Sequence, residues 1–123
     1  MARTGIEQGR ASFAFKEVSD YVKKAGAEEQ KNYKSYLKRL PALIQTNGLG
    51  QALGFYYSEK GVYYDIYQQI SKWIKTKYPE MMPDDDLIKT VVNIDNAEYR
   101  LLTVEVVALI NWMRRFANGM IKK

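Results

Sequence analysis

Residues 40–55 read LPALIQTNGLGQALGF. Pro41 has no backbone donor and a fixed φ, so it starts or kinks a helix rather than continuing one. Leu40, Leu43 and Ile44 share one helical face. Asn47-Gly48 reads as a helix stop, because glycine takes the left-handed conformation after a last turn without steric cost. A second short helix then has Leu49, Leu53 and Phe55 to bury. Gly50 and Gly54 sit one turn apart, a spacing that lets another backbone approach closely. None of these residues is a reaction motif.

The segments on either side also read as helices, and no sustained period-two alternation with hairpin turns marks a strand. Thr4 and Glu7 have the spacing of a capping box, opening a helix that ends near Gly26. Its buried face is Ala11, Ala14, Phe15, Val18, Tyr21 and Val22. A second helix runs from near Glu28 to Pro41, with Tyr33, Leu37, Leu40 and Ile44 on one side and Lys31, Lys34 and Lys38 on the other. After the short helix over 49–58 and a turn at Lys60-Gly61, a helix covers roughly 62–77. Val62, Ile66, Ile70 and Trp73 line its inner face, and Gln68, Lys72 and Lys75 its outer face. Tyr78-Pro79 ends it. Pro83 with Asp84, Asp85 and Asp86 reads as a helix start, where acidic residues meet the positive end of the macrodipole. Asp95 and Glu98 open the last helix. Leu101, Leu102, Val106, Ala108, Leu109, Trp112, Met113 and Phe116 cover most of its circumference, which places it in the middle of the fold. Its polar stripe is Arg100, Asn111, Arg114 and Arg115. The predicted fold is all-α: a compact single-domain bundle over residues 1–123, with five to six helices and a central C-terminal one.

Composition narrows the chemistry. The chain has no cysteine and no histidine, which removes disulfides, thiolate nucleophiles, the usual zinc sites and imidazole acid–base work. No apolar leader opens the chain, and the longest apolar run, residues 106–110, is far too short to span a bilayer. The expectation is therefore a cytoplasmic protein without a membrane partner. The net charge of +5 is segregated. Residues 1–79 hold 13 Lys/Arg against 7 Asp/Glu, whereas residues 80–123 hold 6 against 7, so the whole basic excess lies in the first two thirds. Segregated positive charge points to a polyanion. The plainer alternative is two ordinary wet helix faces.

The candidate sites follow from that charge. Lys31, Lys34 and Lys38 with Arg39 form one cationic ridge, and Lys72 and Lys75 a second; such ridges track a phosphate backbone without reading sequence. Gln45 and Asn47, beside the glycines, are amides suited to phosphate, ribose or backbone partners, or to capping helix ends. Of the ten tyrosines, Tyr56, Tyr57, Tyr63 and Tyr64 cluster around a turn and are candidates for exposure, suited to protein contact or to bases. Three adjacent aspartates on one helix cannot all face one cation, so no metal site is expected at Asp84–Asp86. No catalytic residues, cofactor or small-molecule substrate are expected, and no helix-turn-helix with a recognition helix is apparent.

Residues 40–55, together with EYRLLTVEVVALINWMRRF at 98–116 and QQISKWI at 68–74, closely resemble the small, fifth subunit of the type III-B CRISPR RNA-guided effector, the Cmr complex. The resemblance runs across nearly the whole chain and is most specific at 40–55 and 98–116. It implies a non-catalytic subunit that stacks in copies as an inner filament, against the backbone subunits that hold the CRISPR RNA and alongside the large subunit. Its partners would be those subunits, other copies of itself and the crRNA–target RNA. Cleavage and cyclic oligoadenylate synthesis belong to the other subunits. The competing expectation is a protein-interaction module with little direct RNA contact.

Overall fold

A computed structural model of the chain describes residues 5–122. Six α-helices follow one another: α1 Gly5–Lys24, α2 Ala27–Asn47, α3 Leu49–Ser58, α4 Val62–Lys77, α5 Leu87–Val91 and α6 Asn96–Met120, with a 3₁₀ turn at Pro79–Met81. No strand occurs among the described residues. The fold is a compact all-α domain with α6 packed on α1, α2 and α4. Its buried stripe is Leu102, Val106, Leu109, Ile110, Met113 and Ala117, at the spacing that keeps one helical face inward.

The helix boundaries at 49–58, 62–77 and 95–98 agree with the sequence reading. Asp95 caps α6 by accepting from the Glu98 backbone N–H at 2.9 Å, while Thr4 lies outside the described residues. Gly48 is the single residue between α2 and α3. Its N–H donates to the Ile44 carbonyl at 2.8 Å and its φ is +89°, a value that glycine adopts at little cost and other residues do not.

Pro41 corrects the expectation that it starts a helix rather than continuing one. It lies inside α2, which continues for six residues beyond it to Asn47. The missing N–H frees the Leu37 carbonyl. However, Leu37, Leu40 and Ile44 straddle the proline in one buried stripe, and packing that stripe outweighs the lost bond. A second element braces the same turn: the Tyr56 hydroxyl of α3 donates to the Tyr36 carbonyl at 2.7 Å.

Other corrections concern which flank of a stripe faces inward. Phe15, expected in the core, is 52% exposed and leans edge-on against Phe116, with centroids 5.2 Å apart. Phe13 packs inward in its place, 5.1 Å from the Trp73 ring. Leu101, expected on the covered surface of α6, is exposed. Gly50 admits no backbone neighbour; it meets a side chain, its N–H donating to the Tyr99 hydroxyl at 2.8 Å. Nothing approaches the site of a Cβ at Gly54.

A polar knot that periodicity does not reveal lies between α1, α4 and α6. Glu105 is 3% exposed and accepts from Arg10 Nε at 2.7 Å, Arg10 Nη2 at 2.9 Å and Trp73 Nε1 at 2.7 Å. Burial alone would raise its carboxyl; the Arg10 and Trp73 hydrogen bonds and the Arg10 charge outweigh that, and the net shift is downward. Arg10 also donates to Glu7 at 2.8 Å, which in turn accepts from Trp112 Nε1 at 2.9 Å.

Candidate nucleic-acid interface

Two flanks of α2 have different neighbours. On one flank Lys34 Nζ donates to the Ile121 carbonyl at 3.0 Å, at the end of α6. Lys31, Lys38 and Gln45 fall on this flank by helical spacing, and all three are exposed. On the other flank Tyr36 stacks on Tyr63 of α4, with centroids 3.8 Å apart and planes at 4°. Arg39 lies 5.3 Å from the Tyr36 centroid and donates to the Tyr63 hydroxyl at 3.1 Å. Arg39 is thus turned away from the lysines that the sequence grouped with it. Asn47 is exposed at the end of α2.

The second ridge is engaged in pairing. Lys72 Nζ lies 2.8 Å from Glu17 of α1. Lys75 Nζ lies 2.8 Å from Asp85 and donates to the Met82 carbonyl at 2.7 Å. The Lys72–Glu17 pair ties the outer side of α4 to α1. The sequence could not decide whether the ridges meet, because that depends on how α1 covers α4. Lys31, Lys38 and Arg39, by contrast, have no carboxylate partner among the described residues.

The three aspartates point apart. Asp84 pairs with Lys89 at 2.9 Å and Asp85 with Lys75, while Asp86 accepts from the Tyr67 hydroxyl at 2.7 Å. Asp86 precedes α5 without a side-chain cap bond, so these carboxylates anchor the loop over 82–86 to its surroundings.

The tyrosine cluster divides. Tyr56, expected at the surface, is fully buried, because its hydroxyl braces the proline turn of α2. Tyr57 is exposed, and Tyr63 and Tyr64 are half-buried. Tyr57 and Tyr64 form one shelf with Tyr67, with neighbouring centroids 5.2 to 6.2 Å apart. Tyr63 belongs to a different group, with Tyr36 and Arg39.

Lys34 meets Ile121 and Gly50 meets Tyr99, so α2 and α6 run antiparallel.

These features define the class first: a compact all-α protein. The chain matches the family model described as CRISPR-associated protein (Cas_Cmr5) over residues 6–120. Its fold is similar to the crystal structure of a CRISPR-associated Cmr5 family protein from Thermus thermophilus, with 26% identity, a TM-score of 0.80, and coverage of 94% of this chain and 97% of that one. The chain belongs to the Cmr5 family, and that membership supports a place as a subunit of a CRISPR Cmr complex. No helix of the described residues is long and apolar enough to cross a membrane.

Proposed function

We propose that this protein is a non-catalytic small subunit of a type III-B CRISPR RNA-guided effector, one helical domain over residues 1–123 that stacks in copies as an inner filament along the crRNA–target RNA and supports target-RNA binding in antiviral defence. The family match over nearly the whole chain carries this reading. The α2 surface supports the RNA part: Lys31, Lys38 and Arg39 present charge that no carboxylate among the described residues neutralises, and Gln45 and Asn47 are exposed along the same helix. Lys34 contributes by holding the end of α6 beside them. Lys72 and Lys75 join this surface only by exchanging Glu17 and Asp85 for phosphate, an exchange of small cost for the exposed Lys75–Asp85 pair and of larger cost for Lys72, whose Glu17 partner is mostly covered. The partners are backbone subunits, the large subunit and sister copies, in the cytoplasm. A chain without histidine or cysteine suits a scaffold role, with cleavage left to other subunits.

The test is charge reversal at Lys31 and Lys38 together, leaving Lys34 in place. Target-RNA affinity of the assembled complex should fall, and the log–log salt slope should flatten by about 1.5 units for two lost phosphate contacts. Unchanged affinity and slope remove both lysines from the interface. Exposed Leu101 and Val104 on α6 favour a second reading, in which the subunit mainly binds neighbouring subunits through apolar surface. RNA crosslinking to this subunit inside the assembled particle separates the two.

A further inference from the structure

We propose that the corner where α2, α3 and α4 meet is a seat for one unpaired nucleotide of a bound single-stranded RNA, with the base on the Phe55 ring and the phosphate on the open donors of Arg39. This rests on the RNA reading above and adds to it a defined subsite with its own contacts.

The geometry starts from Phe55. The apolar face of α3 buries Leu49, Ala52, Leu53 and Tyr56, yet Phe55 remains 42% exposed. Its ring meets Tyr63 nearly at right angles, with centroids 5.1 Å apart. Tyr63 stacks on Tyr36, and Arg39 contacts both tyrosines. Phe55 therefore packs on the Tyr63 ring while Arg39 bonds the hydroxyl of the same residue, so one tyrosine links the two groups that the nucleotide would meet. Both are held in place: Phe55 by Tyr63 and Tyr56, Arg39 by the Tyr63 hydroxyl and the Tyr36 face.

Arg39 is fixed but not neutralised. Its single side-chain partner is a neutral hydroxyl, given through Nη1, and Nε and Nη2 donate to nothing among the described residues. Arg10 shows the opposite arrangement, with all three guanidinium nitrogens bonded to carboxylates. A guanidinium whose side-chain freedom is already lost, with two donors open, is preorganised for an oxyanion. Lys60, in the turn before Tyr63, adds charge with no carboxylate partner among the described residues. Glu59 is the one carboxylate of that turn. This excess favours a polyanion over an apolar helix of a partner protein. Aromatic rings beside guanidinium planes are the surfaces on which unstacked bases lie.

The test uses the full chain and a short single-stranded RNA carrying 5-iodouridine, with ultraviolet crosslinking and peptide mapping. Crosslinks should fall on the peptide containing Phe55. Phe55→Leu should remove them and weaken binding about tenfold, as expected for loss of one stacked base. Arg39→Lys, a surface change that leaves the core intact, should lower the same crosslink while leaving the salt slope unchanged, because one charge remains. Crosslinks confined to the Lys31–Lys38 flank, with both variants binding as the parent does, overturn the seat and leave the RNA reading standing. Absence of any RNA binding overturns both. In the assembled complex, capture of a neighbouring subunit by a photoreactive residue at position 55 assigns the corner to protein and also overturns the seat.

Discussion

The knot around Glu105 and the outer surface of α2 treat charge in opposite ways. In the knot an arginine, a glutamate and a tryptophan satisfy one another between three helices. On α2, Lys31, Lys38 and Arg39 carry charge that the described part of the fold leaves unanswered. A buried ion must be paired or it costs the fold several kcal/mol, whereas an exposed one can wait for a ligand. Pairing therefore separates charges that hold the bundle together from charges available to a partner.

Glu105→Ala is the strongest way to break that contrast. It strands the Trp73 N–H and leaves Arg10, whose side chain is 13% exposed, with only the exposed Glu7 carboxylate. The cost should be about 3–5 kcal/mol, read as a fall in the urea midpoint. Arg10→Met combined with Glu105→Leu should recover much of the loss, because no lone charge remains buried. Acid probes the same knot. The Glu105 carboxyl titrates below its ordinary value of 4.5, so its contribution is fully present above that pH and is lost as pH falls through the lower folded value. Urea midpoints measured downward from pH 5 should fall, and the Arg10→Met/Glu105→Leu variant should lose less over the same interval.

Gly48→Ala comes next, at about 1–3 kcal/mol, because the α2–α3 corner holds that residue at positive φ. Tyr56→Phe should cost about 1 kcal/mol through loss of the brace on the Tyr36 carbonyl, while the ring stays buried. The smallest expected effect is at the other pole. Lys31→Glu with Lys38→Glu should leave the unfolding midpoint within about 0.5 kcal/mol of the parent, even as RNA binding falls. A large stability loss there would show that α2 charge serves the fold after all.

Helix periodicity gave most of the architecture away. The spacing of Val62, Ile66, Ile70 and Trp73 and the glycines at 48 and 61 placed α3 and α4 to the residue, because a single face and a single stop determine them. What stayed hidden was set by neighbours. Phe13 and Phe15 flank the same buried stripe of α1, and only Trp73 on one side and Phe116 on the other decide which goes in. Tyr56 looked like a surface tyrosine because the carbonyl it braces belongs to another helix. Glu105 gave no signal in the sequence, since its arginine lies 95 positions away. Of the candidate interface, the exposure of Lys31 and Lys38 was legible. The engagement of Lys34, Lys72 and Lys75, and the turn of Arg39 toward Tyr63, depended on contacts between helices.

Gln69 couples the two poles mechanically. Its side-chain oxygen accepts from the Tyr33 hydroxyl of α2 at 2.9 Å, and its amide nitrogen donates to the Glu17 carbonyl of α1 at 3.2 Å. Rolling α4 about its long axis breaks both bonds at once, so it behaves as a keyed shaft between its neighbours. One amide side chain thus ties three helices into a single unit, so a shift of α2 is felt at α1 without any direct bond between those two positions.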